Sequence, residues 1–71
     1  MIIYKKLKNS SQLFSATYDI VNNELLIKFQ KGYTYRYFEV SEETYSALCE
    51  AESAGSYFNK NIAKKFKYER M

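Results

Sequence analysis

Three runs of alternating residues, separated by short turns, decide most of what this 71-residue chain can fold into. Residues 14 to 20 place Phe14, Ala16, Tyr18 and Ile20 on one side and Ser15, Thr17 and Asp19 on the other. A period of two is the signature of a half-buried strand. Asn22-Asn23 follows, and asparagine tolerates the positive φ of a two-residue primed hairpin turn. That turn sets Ile20 opposite Leu25, Tyr18 opposite Ile27 and Ala16 opposite Phe29, matching apolar with apolar across the pair.

The second turn, at "QKG", fixes what the tyrosines of "GYTYRYFE" do. A two-residue loop, Lys31-Gly32, puts Tyr33, Tyr35 and Tyr37 on the side of Lys28 and Gln30, as an exposed basic and aromatic platform. A three-residue loop, Gln30-Lys31-Gly32, sets Phe29 against Tyr33, Ile27 against Tyr35 and Leu25 against Tyr37, so the tyrosines join the core. The shorter loop asks Lys31 for a positive φ, which costs a residue with a Cβ about 1 kcal/mol or more. The longer loop asks it only of Gly32 and keeps one apolar face across all three strands. The sequence therefore predicts the longer loop. The outer face then carries Ser15, Thr17, Lys28, Thr34 and Arg36, with Leu26 and Phe38 among them.

"VSEETYSALCEAESAG" reads as a helix. Ser41 suits the N-cap, Glu42 and Glu43 suit the first turn, and Tyr45, Leu48 and Cys49 make an apolar stripe. Gly55 is read as its stop and Ser56 as the cap of a second helix, "YFNKNIAKKF". There Phe58, Ile62 and Phe66 recur every four residues, with Lys60, Lys64 and Lys67 on the opposite face. The expected class is α+β: a three-stranded antiparallel meander followed by two helices packed on one face, as a single domain over residues 10–71. Residues 1–9, "MIIYKKLKN", are an extension, either a fourth strand or a basic arm.

A chain this short has little interior, and one cysteine cannot close an internal disulfide. Eight tyrosines and five phenylalanines are the remaining means of building a core. With no histidine there is no Ser-His or Cys-His pair and no zinc cluster, and with two glycines no phosphate-cradling loop. Glu42, Glu43, Glu50 and Glu52 fall on an outer helical face, and Cys49 falls on the apolar stripe. The expectation is a non-enzyme without metal or cofactor. No apolar run reaches membrane-spanning length and the first residues do not read as a secretory signal; a lone thiol fits the reducing cytoplasm.

The net charge of +3 is unevenly spread. Lys5, Lys6 and Lys8 stand near one end, and Lys60, Lys64, Lys65, Lys67 and Arg70 near the other with Glu69 as the one acid. The middle carries Lys28, Lys31 and Arg36 against Asp19, Glu24, Glu39, Glu42, Glu43, Glu50 and Glu52. Basic ends suit phosphate, and equally they suit a solvated surface. The candidate nucleic-acid contacts are Lys28, Arg36, Lys60, Lys64, Lys65 and Lys67 for phosphate, with Phe38 and Tyr57 for stacking. The rival reading is a protein-interaction or self-associating module, since open sheet edges pair with other strands and Tyr, Phe and Arg are enriched at interfaces.

Tyr35 and Tyr37, then "AESAGSYFNKNI", then the ending "KYERM" carry a resemblance. From about Ser10 to Met71 the chain resembles the KTSC family, a small domain at the C-terminus of some lysyl-tRNA synthetases and a stand-alone protein in bacteria and phages. The resemblance implies no catalytic residues. By association with a synthetase it implies RNA or single-stranded nucleic acid as partner, an analogy of context; a phage setting implies a host protein, and the low stability of so small a domain makes a homodimer the other protein partner expected. Ser41 stands where members often have proline, a simple exchange of caps. Lys67 stands where members often have proline before the final tyrosine, which adds a charge and lets the tail extend helically.

Overall fold

Alternation in the sequence becomes sheet in the computed structural model, which describes residues 1–7 and 10–71. Strands β1 (Ile2–Lys6), β2 (Leu13–Asp19), β3 (Glu24–Phe29) and β4 (Thr34–Tyr37) run as an antiparallel meander. The chain then leaves the sheet for helices α1 (Glu42–Glu50) and α2 (Ala54–Asn61) and returns as β5 (Tyr68–Arg70), antiparallel to β4. The fold is α+β as expected, but among the described residues the sheet has five strands in the order β1-β2-β3-β4-β5. The N-terminal segment is a strand, and the tail after Lys67 is extended, not helical.

The "QKG" turn has the predicted register. Leu25 faces Tyr37 and Ile27 faces Tyr35, the Phe29 N–H donates to the Tyr33 carbonyl at 2.9 Å, and Gly32 has φ +105°. Tyr37 is buried at 2 % exposure, and Tyr33 and Tyr35 pack against the core.

The first hairpin is different. Glu24 pairs with Asp19 and Leu25 with Tyr18, so residues 20–23 form the loop and the register lies two residues from the expected one. The Asp19 carboxylate accepts from the Val21 and Asn22 N–H groups at 3.0 and 3.3 Å and from Asn22 Nδ2 at 2.8 Å. This local turn wins over the tighter one, and Asn23 then takes the positive φ of 54°. The even slip leaves every side chain on its face. Those hydrogen bonds, the Asn22 side chain first, hold the Asp19 carboxyl below the ordinary carboxylate range.

A bulge between Leu13 and Ser15 makes the second correction. Leu13, fully buried, takes the core position opposite Phe29, and Phe14 is turned to the outer face with Ser15 and Lys28.

Ser41 caps α1, its Oγ accepting from the Thr44 N–H at 3.2 Å. The helix ends at Glu50, before Gly55. Ser53, not Ser56, caps α2, accepting from the Ser56 N–H at 3.2 Å. Gly55 lies buried in the first turn of α2 because a Cβ there would stand 3.1 Å from Ser10 Oγ, tighter than ordinary contact. Helix α2 stops at Asn61, where the Phe58 carbonyl accepts both the Ile62 and the Ala63 N–H groups at 2.9 Å and the chain turns.

Both helices cover one face. Tyr45, Leu48, Ala54, Phe58 and Ile62 pack with Tyr18, Leu25, Ile27, Phe29 and Tyr37 in one cluster. The fully buried Tyr18 is its hub. Its ring stacks on Tyr45 with centroids 5.1 Å apart, and its hydroxyl donates to the Val40 carbonyl at 2.6 Å, with Asn23 Oδ1 at 3.1 Å. Burial raises the Tyr18 and Tyr37 hydroxyl pKa values above the ordinary 10.0, with Glu42 and Asp19 adding to the effect at Tyr18 and Tyr68, Tyr35 and Tyr33 at Tyr37.

Tyr18→Phe keeps the ring and orphans the Val40 carbonyl; urea unfolding is expected to show a loss of about 1–3 kcal/mol. The raised folded pKa of Tyr37 gives a second outcome. Its contribution is present in full below the unfolded value near 10 and is lost as pH rises through the folded value. Thermal melts should therefore show stability falling above about pH 10, less steeply in Tyr37→Phe.

Candidate functional site

The charged residues singled out in the sequence divide into two groups. Lys28 and Arg36 stand on the outer sheet face, and Lys60, Lys64, Lys65 and Lys67 follow the path from the last turn of α2 into β5. Because α2 stops at Asn61, the second group is no single helical face. Lys60 is on the helix, Lys64 and Lys65 are on the turn after it, and Lys67 immediately precedes β5. All of these lysines are exposed.

Arg36 is not open to a ligand in the same way. It faces Glu69 across the β4–β5 pair, with Nη1 to Oε1 at 3.1 Å, and its Nε lies 3.8 Å from Glu24 Oε1. That Nε is shielded from solvent and has no hydrogen-bond partner among the described residues. The guanidinium thus sits between two carboxylates, where a phosphate would have to displace a partner. Among the described residues the ion pairs within 4.0 Å all involve Arg36, so the lysines have no such partner there. Lys8 lies outside the described residues.

Phe38 is half-buried beyond β4, outside the core cluster, and its N–H donates to the Lys67 carbonyl at 2.9 Å. That bond ties the basic segment to the end of β4. Tyr57 is half-buried and packs against the core, so only part of its ring faces outward.

An aromatic ladder that the sequence signals only in part runs beside this segment. Tyr68 stacks on Tyr35 with centroids 5.3 Å apart and lies 5.5 Å from Tyr37, and Arg70 stands over Tyr33 at 5.1 Å. The register explains it, since Tyr68 faces Tyr37 and Arg70 faces Tyr35. Tyr68 is 52 % exposed, the outermost ring of a stack in which Tyr35 is half-buried and Tyr37 is core. A three-residue strand has no readable period, so this part of the surface leaves no signal beyond the residues themselves.

A polar hollow beside α2 is lined by Ser10, Ser11, Gln12, Ser53, Ser56, Asn59 and Lys60. Asn59 Nδ2 donates to Gln12 Oε1 at 3.3 Å across it. Among the described residues no group of three or more Cys, Asp or Glu is placed to hold a metal ion. No described helix is long and apolar enough to cross a membrane.

If Tyr68 clamps β5 onto β4, Tyr68→Ala should loosen the pairing without unfolding the core. Hydrogen exchange is expected to speed up at the Phe38 and Met71 amides, which donate to Lys67 and Thr34, and to leave the Ile27 amide unchanged.

Known proteins resemble this chain in sequence and in fold. The chain is 39 % identical over 54 residues to a lysine–tRNA ligase of Trichormus variabilis. That stretch is 76 % of this chain and 10 % of the ligase, so the match spans about a tenth of the ligase's length. It is 36 % identical over 58 residues to a protein of Tsukamurella paurometabola, covering 82 % of this chain and 87 % of that one. The crystal structure of a KTSC domain protein from Yersinia pestis superposes with a TM-score of 0.89 at 30 % identity, over 100 % of this chain and 99 % of the other. The family model described as the KTSC domain matches residues 9–66, and with this fold and these relatives the chain belongs to the KTSC domain family.

Proposed function

We propose that this chain is a small non-catalytic module that binds RNA or single-stranded nucleic acid through a basic surface. The observation that carries the reading is the segment from Lys60 to Lys67. Its lysines are all exposed, follow one another along a turn anchored at both ends, and have no carboxylate partner among the described residues. Cations that are not neutralised by the protein are available to phosphate, and binding there releases the counterions of the nucleic acid. Phe38 and Tyr57, close in sequence or hydrogen bonding to the lysines, offer partial ring faces for stacking, and Tyr68 adds a more exposed one. Arg36, already paired, contributes to the fold of β5 more than to a ligand.

The relatives support the reading by context. Lysine–tRNA ligases act on tRNA, and a segment of about 10 % of their length resembles most of this chain. A module of this size without histidine, and with no metal cluster among its described residues, fits recognition better than turnover. In the cytoplasm, where RNA is abundant, such a domain adds phosphate affinity to whatever it accompanies.

The quadruple variant Lys60→Gln, Lys64→Gln, Lys65→Gln, Lys67→Gln tests this with a fluorescently labelled oligoribonucleotide. Anisotropy should show affinity falling by about tenfold or more at low salt, and a log-log salt slope shallower by about 0.7 for each lysine–phosphate pair removed. An unchanged affinity in a folded variant counts against the proposal.

A further inference from the structure

The bulge that turns Phe14 out of the core also gathers two cations. Lys6 Nζ lies 5.2 Å and Lys28 Nζ 5.4 Å from the centroid of the Phe14 ring. In the strand register Lys6 and Lys28 flank Ser15 in one row across β1, β2 and β3, and Thr34 of β4 continues it. Two ammonium groups drawn to one ring repel each other, and no described carboxylate lies within 4.0 Å of either. An anion bound by these ammonium groups lowers that repulsion.

Charge on this uncovered face is sorted by row. The next row holds Tyr4, Thr17, Leu26 and the paired Arg36 and Glu69, and the row beyond holds Asp19 and Glu24. An anionic strand is thus attracted to one end of the face and repelled from the other. Between them lies a shallow groove of about 410 Å³, lined by Tyr4, Ser15, Thr17, Leu26, Lys28 and Thr34 among others. Tyr4 is 61 % exposed and precedes Lys6 by two residues on the same strand. Their side chains share a face about 7 Å apart, a separation that a nucleotide's base and phosphate can span.

We infer that the outer sheet face carries a second nucleic-acid contact: Lys6 and Lys28, converging on Phe14, hold a phosphodiester, and the Tyr4 ring stacks an adjoining base of a single strand. The inference rests on the nucleic-acid reading of the chain and adds a site on the sheet face opposite the helices. Charge complementarity selects the occupant. The basic row meets the phosphate, and the exposed ring beside it meets a base in any sequence.

The test is an NMR titration of the isotope-labelled chain with a short oligouridylate at low salt, paired with anisotropy. Binding is expected to shift the amides of Tyr4, Lys6, Phe14, Ser15 and Lys28. Lys6→Gln with Lys28→Gln should weaken affinity about tenfold and flatten the salt slope by about 0.7 per lysine. Tyr4→Ala should weaken it several-fold at an unchanged slope. Both variants alter exposed side chains, circular dichroism checks their folding, and the shifts in the wild-type chain need no variant. Binding that leaves these amides unshifted and survives the double lysine variant overturns this site while the functional reading stands. No binding by the wild-type chain overturns both. An acidic peptide of equal charge that shifts the same amides as strongly overturns the nucleic-acid assignment.

Discussion

The fold depends on one buried hydroxyl. Tyr18 lies near the end of β2, beside the central strand, with none of its surface exposed, so its phenol must find an acceptor inside the protein. The Val40 carbonyl provides it at 2.6 Å, at the point where the chain leaves the sheet for α1. The same residue's N–H donates to the Asn23 carbonyl at 2.8 Å, in the turn between β2 and β3. The end of β2, the hairpin loop and the helix entry are therefore held at one residue. The Tyr18 ring then meets Tyr45 one turn into α1, which sets where that helix lies. In a chain with so little interior, a satisfied polar group at the hub gives direction that apolar burial alone lacks.

What can be read from the sequence follows the reach of each signal. The β3–β4 register is legible because one steric fact, the cost of a positive φ at Lys31 against its ease at Gly32, chooses between two registers with opposite faces. The β2–β3 face is legible and its register is not, since any even slip preserves the apolar match. The arbiter is the Asp19 carboxylate closing its own turn. The bulge at Leu13 and Ser15 is invisible: Phe14 continues the alternation, and only its neighbours in space show that Leu13 fills the core instead. Ser41 is a sound cap, but the serines after α1 offer competing caps, and Gly55 serves close packing against Ser10 where a helix stop is expected.

The candidate site is legible in residue type and not in partnership. Arg36 and the lysines look alike in a sequence, yet Glu69 arrives across the β4–β5 pair, a partner from the far end of the chain on a strand too short to have a period. That pairing removes Arg36 from the free cations. Exposed ion pairs of this kind add little stability, so its main effect is on which charges remain available. Lys6 escapes a sequence reading for the converse reason. It sits in an extension that reads as strand or arm, and only the β1–β2 register places it across Ser15 from Lys28.

Aromatic content is a poor guide to ligand binding in a domain this small. Phe29, Tyr33, Tyr35, Tyr37 and Phe58 meet at centroid distances of 4.9–6.4 Å, with Phe29, Tyr37 and Phe58 in the interior and Tyr33 and Tyr35 packed against it. The same residue types at Tyr4 and Tyr68 have a face turned to solvent. What separates the two sets is the sheet register, which decides whether a ring has a helix over it, and the charge beside it. Where carboxylates neutralise a cation, as Glu24 and Glu69 do around Arg36, the charge serves the structure. Where lysines stand without them, as around Phe14 and along the turn into β5, they leave a positive field that no described carboxylate answers within 4.0 Å.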